Sequence, residues 1–158
     1  VEFKRRNPAG RTFSGGGFKL TRPTGPKLTR DGLDFSAKDR DYDVRREGEE
    51  IWLMDGERLV GYATGNSNDW HLLIDEKPYA LDQPKLGNNN SALMSGNERV
   101  AEIMGRGFPV RAAEITSILN LTDEQKAFVV LIALLGWRES DRSLFSSLEG
   151  ASEGPAGP

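Results

Sequence analysis

The stretch 121-LTDEQKAFVVLIALLGWRES-140 carries two messages in series. Thr122 followed three residues later by Gln125 has the spacing of a capping box, and Asp123 and Glu124 put negative charge where a helix dipole favours it, so a helix starts here. From Ala127 to Trp137 every residue except Gly136 is then clearly apolar, which leaves no face for water. Such a run spans roughly 16 Å at about 1.5 Å per residue, whereas a membrane span takes about 20 apolar residues. The spacing therefore predicts a core helix over 122–138 that the rest of the chain must enclose on all sides. Gly136 either permits close approach to a strand or is a weak point near the helix end.

Upstream, the commonest pattern is a short β-type run bounded by Gly, Asn, Asp or Pro. Ile51 to Met54 and Arg58 to Ala63 flank Asp55-Gly56, a dipeptide suited to the left-handed positions of a tight hairpin turn. A returning strand is expected at 70-WHLLID-75, another at 77-KPYAL-81, and a loop at 83-QPKLGNNN-90. The pattern then recurs: Ala92 to Met94, a Ser95-Gly96 turn, Arg99 to Met104, a turn at 105–107, and 108-FPVRAAEI-115. The stretch 54-MDGERLVGYA-63 is thus rewritten forty residues later as 94-MSGNERVAEI-103. Two copies are too few for a solenoid, which needs several stacked units and caps. A meander that closes on itself hides its edges, so the expected fold is mainly β: a closed antiparallel β-barrel of short strands enclosing one C-terminal hydrophobic α-helix, with the two copies as two halves of the ring.

At 158 residues the chain suits one domain with one core. Its expected organisation is a basic arm with early strands over 1–48, barrel strands with the core helix over 49–140, and a C-terminal extension over 141–158. In that extension Leu144, Phe145 and Leu148 suit a short amphipathic turn, and 151-ASEGPAGP-158 has the composition of a disordered tail. The absence of cysteine excludes a disulfide framework, thiolate zinc sites and cysteine catalysis. Residues 1–17 hold no apolar run of signal-peptide length, and the expected location is cytoplasmic, peripheral to a membrane.

The net charge of -3 conceals an asymmetry: residues 1–46 hold twelve Lys or Arg against six Asp or Glu, whereas residues 47–158 hold nine against eighteen. A basic arm on an acidic body is compatible with attraction to phosphate on lipid or nucleic acid, and equally with the arm lying on its own domain.

The residues that bear chemistry point to no catalytic, cofactor or metal site. In 39-DRDYDVRREGEE-50, Asp39, Asp41, Asp43 and Glu50 fall at positions 1, 3, 5 and 12 of a calcium loop, but Val44 stands where the sharp turn needs Gly. His71 is the only histidine, and its strand setting favours a structural role over general-base catalysis. The Gly15 to Gly17 run lacks the Lys-Ser/Thr of a phosphate loop and reads as flexibility or a bulge. Lys4, Arg5, Arg6, Arg11, Lys19, Arg22, Lys27 and Arg30, interspersed with Phe3, Phe13 and Phe18, have the ingredients for phosphate contact and base stacking, although the acidic remainder opposes nucleic acid.

Taken together, 51-IWLMDGERLVGYA-63, 92-ALMSGNERVAEI-103 and 121-LTDEQKAFVVLIALLGWRE-139 resemble the tubby-like barrel superfamily, which includes phospholipid scramblases and LURP-one-related proteins. The resemblance covers about residues 50–140. It implies strands closed around a central hydrophobic helix. It also implies a non-enzymatic binding module that meets anionic phospholipid head groups through basic surface side chains, with no residue-by-residue carry-over of ligand positions. The cysteine-rich palmitoylation segment common in scramblases has no counterpart, so scrambling is not implied. The alternative is a protein-interaction or scaffold domain in which the charge asymmetry drives pairing.

Overall fold

The computed structural model describes residues 1–5, 12–22, 33–66, 69–82, 90–107 and 110–152, without the side chains of Asn66 and of residues 138–152. Among the described residues thirteen strands precede one helix. They are β1 (Glu2–Arg5), β2 (Thr12–Gly15), β3 (Phe18–Thr21), β4 (Asp34–Ala37), β5 (Arg40–Asp41), β6 (Asp43–Glu47), β7 (Glu50–Asp55), β8 (Arg58–Asn66), β9 (Asp69–Ile74), β10 (Lys77–Asp82), β11 (Asn90–Ser95), β12 (Glu98–Arg106), β13 (Ala112–Ser117) and α1 (Asp123–Ser152). All belong to one antiparallel sheet with order β5-β4-β3-β2-β1-β13-β12-β11-β10-β9-β8-β7-β6.

That order describes a barrel. Each strand of an antiparallel sheet reverses its neighbour, so the two ends of a 13-stranded sheet, β5 and β6, run the same way. They are also consecutive in sequence, separated by Tyr42 alone. Residues 40–47 are therefore one continuous path that pairs first with β4 (Ser36 with Asp41, Ala37 with Arg40) and then with β7 (Asp43 with Met54, through to Glu47 with Glu50). Counted so, the wall is a ring of twelve strands, the even number that an all-antiparallel ring requires. On the opposite side the first and last strands pair directly, Phe3 with Ala113, and Val1 exchanges backbone hydrogen bonds with Ile115 in both directions.

The helix fills the ring. Ala127 to Leu135 and Trp137 are at most 1% exposed, and they form one cluster with inward strand residues that include Phe3, Phe13, Leu20, Phe35, Ile51, Leu53, Trp70, Leu93, Ile103 and Ile115. A helix apolar all round is thus enclosed all round, as its sequence demands. The capping box forms in both directions: the Gln125 amide donates to Thr122 Oγ1 at 3.2 Å, and the Thr122 amide to Gln125 Oε1 at 2.9 Å. Gln125 Nε2 also donates to Asp75 Oδ2 at 2.9 Å, tying the cap to the β9–β10 turn. Farther along, the buried Arg22 donates to the Leu134 carbonyl at 2.7 Å, and Trp137 Nε1 donates to Ser91 Oγ at 2.9 Å. Both ends of the enclosed segment are therefore pinned to the wall by directional bonds.

The recurrence of 54–63 at 94–103 survives in three dimensions. In each copy the ladder slips by one residue just before the methionine, between Leu53 and Met54 and between Leu93 and Met94, and the long strand that follows, β8 or β12, has nine residues. The copies are not halves, however. They start four strands apart in a ring of twelve and lie side by side over β7–β13.

Four expectations need adjustment. The helix does not stop at 138 but continues to Ser152, in keeping with a sequence that holds no proline after Pro109 until Pro155. The last strand begins at Ala112 rather than 108: Val110 lies in a turn, and the Arg111 amide bonds the Arg106 carbonyl, while Phe108 and Pro109 fall outside the described residues. Gly16 and Gly17 are the tight β2–β3 turn, with φ of 56° and 85°, rather than a bulge. The tail expected at 151–158 begins inside the helix, and residues 153–158 fall outside the described residues. Within 1–48, strands occupy 2–5, 12–15, 18–21, 34–37, 40–41 and 43–47. No helix among the described residues is long and apolar enough to cross a membrane.

Candidate anion-binding face

Strand pairing fixes which side chains stand together on the outside of the wall. Inward Phe3, Phe13, Leu20 and Phe35 alternate with outward neighbours, since successive strand residues face opposite sides. Register aligns those neighbours in one row: Arg106, Ala112, Lys4, Ser14, Lys19, Ser36 and Asp41, from β12 across β13 and β1–β4 to β5. Cations alternate with small residues. The small ones leave a hollow of about 770 Å³, lined by Ser14, Gly17, Phe18, Lys19, Ser36 and Lys38.

The charges on this row are not equally committed. Arg106 lies 3.4 Å from Glu2 and 3.8 Å from Glu114, and Lys4 is 3.6 Å from Glu2. Lys19 and Lys38 have no ion-pair partner among the described residues. Ser14, which pairs with Lys4 on one side and Lys19 on the other, has a buried Oγ that makes no hydrogen bond. Buried hydroxyls nearly always find a partner, and leaving one unmet costs about 1–3 kcal/mol. Two lysines without ion pairs at one hollow can attract an oxyanion, because lysine acts on phosphate as a mobile point charge.

Where this row reaches Asp41 the wall changes character. No backbone ladder joins β4 to β6 among the described residues, and side chains hold the seam instead. Tyr42 donates to Glu124 Oε2 at 2.6 Å, Arg58 pairs with Glu124 at 2.7 Å and with Asp55 at 2.8 Å, and Arg40 reaches Asp55 at 3.1 Å. The hydrogen bond from Arg58, assisted by Tyr42 and opposed by burial, holds the Glu124 carboxyl below the ordinary glutamate range. Burial, then the bond to Glu124, pushes the Tyr42 hydroxyl up to about 12. The Tyr42 ring completes an aromatic cluster with Phe18 and Phe35, at centroid distances of 6.2 and 4.9 Å.

Beyond the seam the outward row reads Arg45, Trp52, Tyr62, Leu73 and Pro78, from β6 to β10. Trp52 and Tyr62 lie tilted with centroids 5.4 Å apart, and Tyr62 donates to Glu50 Oε1 at 2.6 Å. That bond is the main cause of the rise in the Tyr62 hydroxyl's pKa.

The residues singled out from sequence are distributed differently from the readings that grouped them. Asp39 sits in the β4–β5 turn, Asp43 pairs with Arg45 at 2.8 Å and Glu50 accepts from Tyr62, so the acidic run is spread over three strands and a turn. Among the described residues no group of three His, Asp or Glu is placed to hold a metal. His71 stands exposed on β9 with Nε2 3.1 Å from Asp69. Phe3 and Phe13 are core, and Arg22 is 7% exposed beneath the wall with its guanidinium 5.5 Å from the Phe13 ring, so they form no stacking surface. Arg6, Arg11, Lys27 and Arg30 fall outside the described residues. Ser14 and Ser36 join the site through register and Lys38 from the β4–β5 turn, and no local pattern announces their meeting.

Fold and surface together define a closed β-barrel around an apolar helix with a cation-lined hollow on its outer wall. No known protein family, curated protein or solved structure matches the chain.

Proposed function

We propose that this protein is a non-enzymatic binding module of the tubby-like barrel kind, and that it meets anionic phospholipid head groups on the face built by Lys4, Ser14, Lys19, Ser36 and Lys38. The observation that carries the reading is the hollow itself, whose lining includes two lysines without ion-pair partners among the described residues. The enclosed apolar helix and the doubled hairpin support the tubby-like part. Near a membrane surface each basic group contributes about 1 kcal/mol, an attraction that fades within a Debye length.

The test is co-flotation of the full chain with liposomes, neutral against anionic and phosphoinositide-containing, at low and physiological salt. Salt-sensitive flotation with anionic vesicles only is the expected result. Failure to float at either salt removes the membrane and leaves the fold in another role.

A further inference from the structure

A second site lies on the other side of the seam. A groove of about 480 Å³ on the outside of β6–β8 is lined by Trp52, Met54 and Leu59 together with Arg45, Arg46 and Glu47. Leu59 is 45% exposed, so the apolar lining is open to solvent. The volume is in the range of small-ligand sites, which pair apolar walls with a few polar groups.

The charges decide what it takes. Arg45 is occupied by Asp43, with Nε to Oδ2 at 2.8 Å. Arg46 falls on the same side of β6 as the buried Val44, and its Nε is buried. Glu47 is exposed and has no ion-pair partner among the described residues. One carboxylate without an ion pair among the described residues therefore shares the groove with an indole and with Met54 and Leu59. An indole face attracts cations more strongly than other rings, and an indole that shares a groove with a carboxylate suits an organic cation whose charge is wrapped in methyl groups.

We propose that the Trp52–Met54–Leu59 groove, with Glu47 at its edge, binds methylated ammonium ions of the choline type. The ammonium lies against Trp52 and faces the Glu47 carboxylate, and the methyl groups contact Met54 and Leu59. This site is separate from the cationic hollow and stands or falls independently of it.

Tryptophan fluorescence tests it cleanly, because Trp70 and Trp137 are 2% and 0% exposed and an aqueous quencher reaches only Trp52. Choline is titrated into the full chain in the presence of acrylamide, in parallel with 3,3-dimethyl-1-butanol, its neutral isostere. Choline is expected to shield Trp52 at millimolar concentration and the isostere severalfold less well; E47Q should weaken choline about threefold, the scale of one exposed ion pair. L59S, at an exposed position, is the second variant and should weaken both compounds, because it removes apolar contact and leaves the charge unchanged. Phosphatidylcholine vesicles form a further arm: shielding there as well places the cation on a lipid head group, and shielding by free choline alone places it on a soluble molecule. Equal shielding by choline and its isostere, or none by choline at about 50 mM, the weak end for an exposed cation–π contact, overturns the proposal.

Discussion

The two outer faces of this barrel meet along residues 40–47 and share one core, yet they carry different chemistry. On the β1–β5 side, register sets cations between serines and alanine and leaves a hollow; on the β6–β10 side it sets tryptophan, tyrosine, leucine and proline in a row. The inward residues of both sides are the same kind, large and apolar, because both press on the same helix. The outside of a barrel wall is therefore free to vary once the inside is satisfied, and the difference between the faces is where function can be read.

The largest expected effect breaks the cationic face. Reversing two charges with K19E/K38E should lower anionic-vesicle binding by well over tenfold, given about 1 kcal/mol for each basic group at the surface. Both lysines stand on the outside without ion pairs, so the melting temperature should barely move, as is usual for surface changes. Unfolding of the double variant, instead of lost binding, would count against the hollow as a site.

The next effect concerns how each copy of the hairpin meets the helix. A Cβ at Gly61 would come within 2.5 Å of the Phe128 ring, whereas the equivalent position of the second copy is the buried Ala101. Gly61→Ala makes the first copy like the second and should cost about 1–3 kcal/mol by overpacking, read from denaturant midpoints. A neutral result would mean that Phe128 has room to retreat.

The seam between the faces gives a smaller, pH-dependent effect. Glu124 titrates lower in the folded chain than unfolded, so its contribution is present above the ordinary glutamate range and is lost as pH falls through the folded value. Tyr42 behaves in the opposite sense: raised from 10 to about 12, it contributes fully below pH 10 and loses that contribution as pH climbs toward 12. E124Q should cost about 1–2 kcal/mol at neutral pH, since its partner Arg58 is half exposed and screened, and it should flatten the acid limb. Y42F should flatten the alkaline limb. Unchanged limbs in both variants would show that the seam is held by packing alone.

Smallest is the β9–β10 turn under the aromatic face, where Asp75 and Glu76 both have positive φ, 53° and 63°. Aspartate tolerates this region better than glutamate. Glu76→Gly should therefore stabilise the protein by about 1 kcal/mol, measurable as a raised melting temperature.

Much of this architecture is legible in the sequence because each signal is local. The Thr122–Gln125 box and the all-apolar run after it are each contained within a few residues and form as their chemistry dictates, whereas the Asp55-Gly56 and Ser95-Gly96 signals find their hairpins one residue early: Asp55 and Ser95 end their strands, and the two-residue turns are Gly56-Glu57 and Gly96-Asn97 with glycine in the left-handed region. The early strands are harder to read: Glu2–Arg5 and Thr12–Gly15 are four residues long and carry arginine, serine and glycine, so their alternation is too brief to stand out. The candidate site is the least legible part. Lys4, Ser14, Lys19 and Ser36 become neighbours only when four strands lie side by side in one register, and nothing within any one strand encodes that meeting. Arg22 shows the converse: it counts as a surface cation in the sequence but bonds a helix carbonyl in the core.

The central claim is that anionic head groups are met by the cationic face and not by the aromatic one. The most direct measurement is an amide chemical-shift titration with a water-soluble, short-chain phosphoinositide. The account predicts saturable shifts clustered at Lys4, Ser14, Lys19, Ser36 and Lys38, abolished in K19E/K38E, with Trp52 and Tyr62 unmoved. Shifts centred on Trp52 and Tyr62, or none anywhere at saturating ligand, would contradict it.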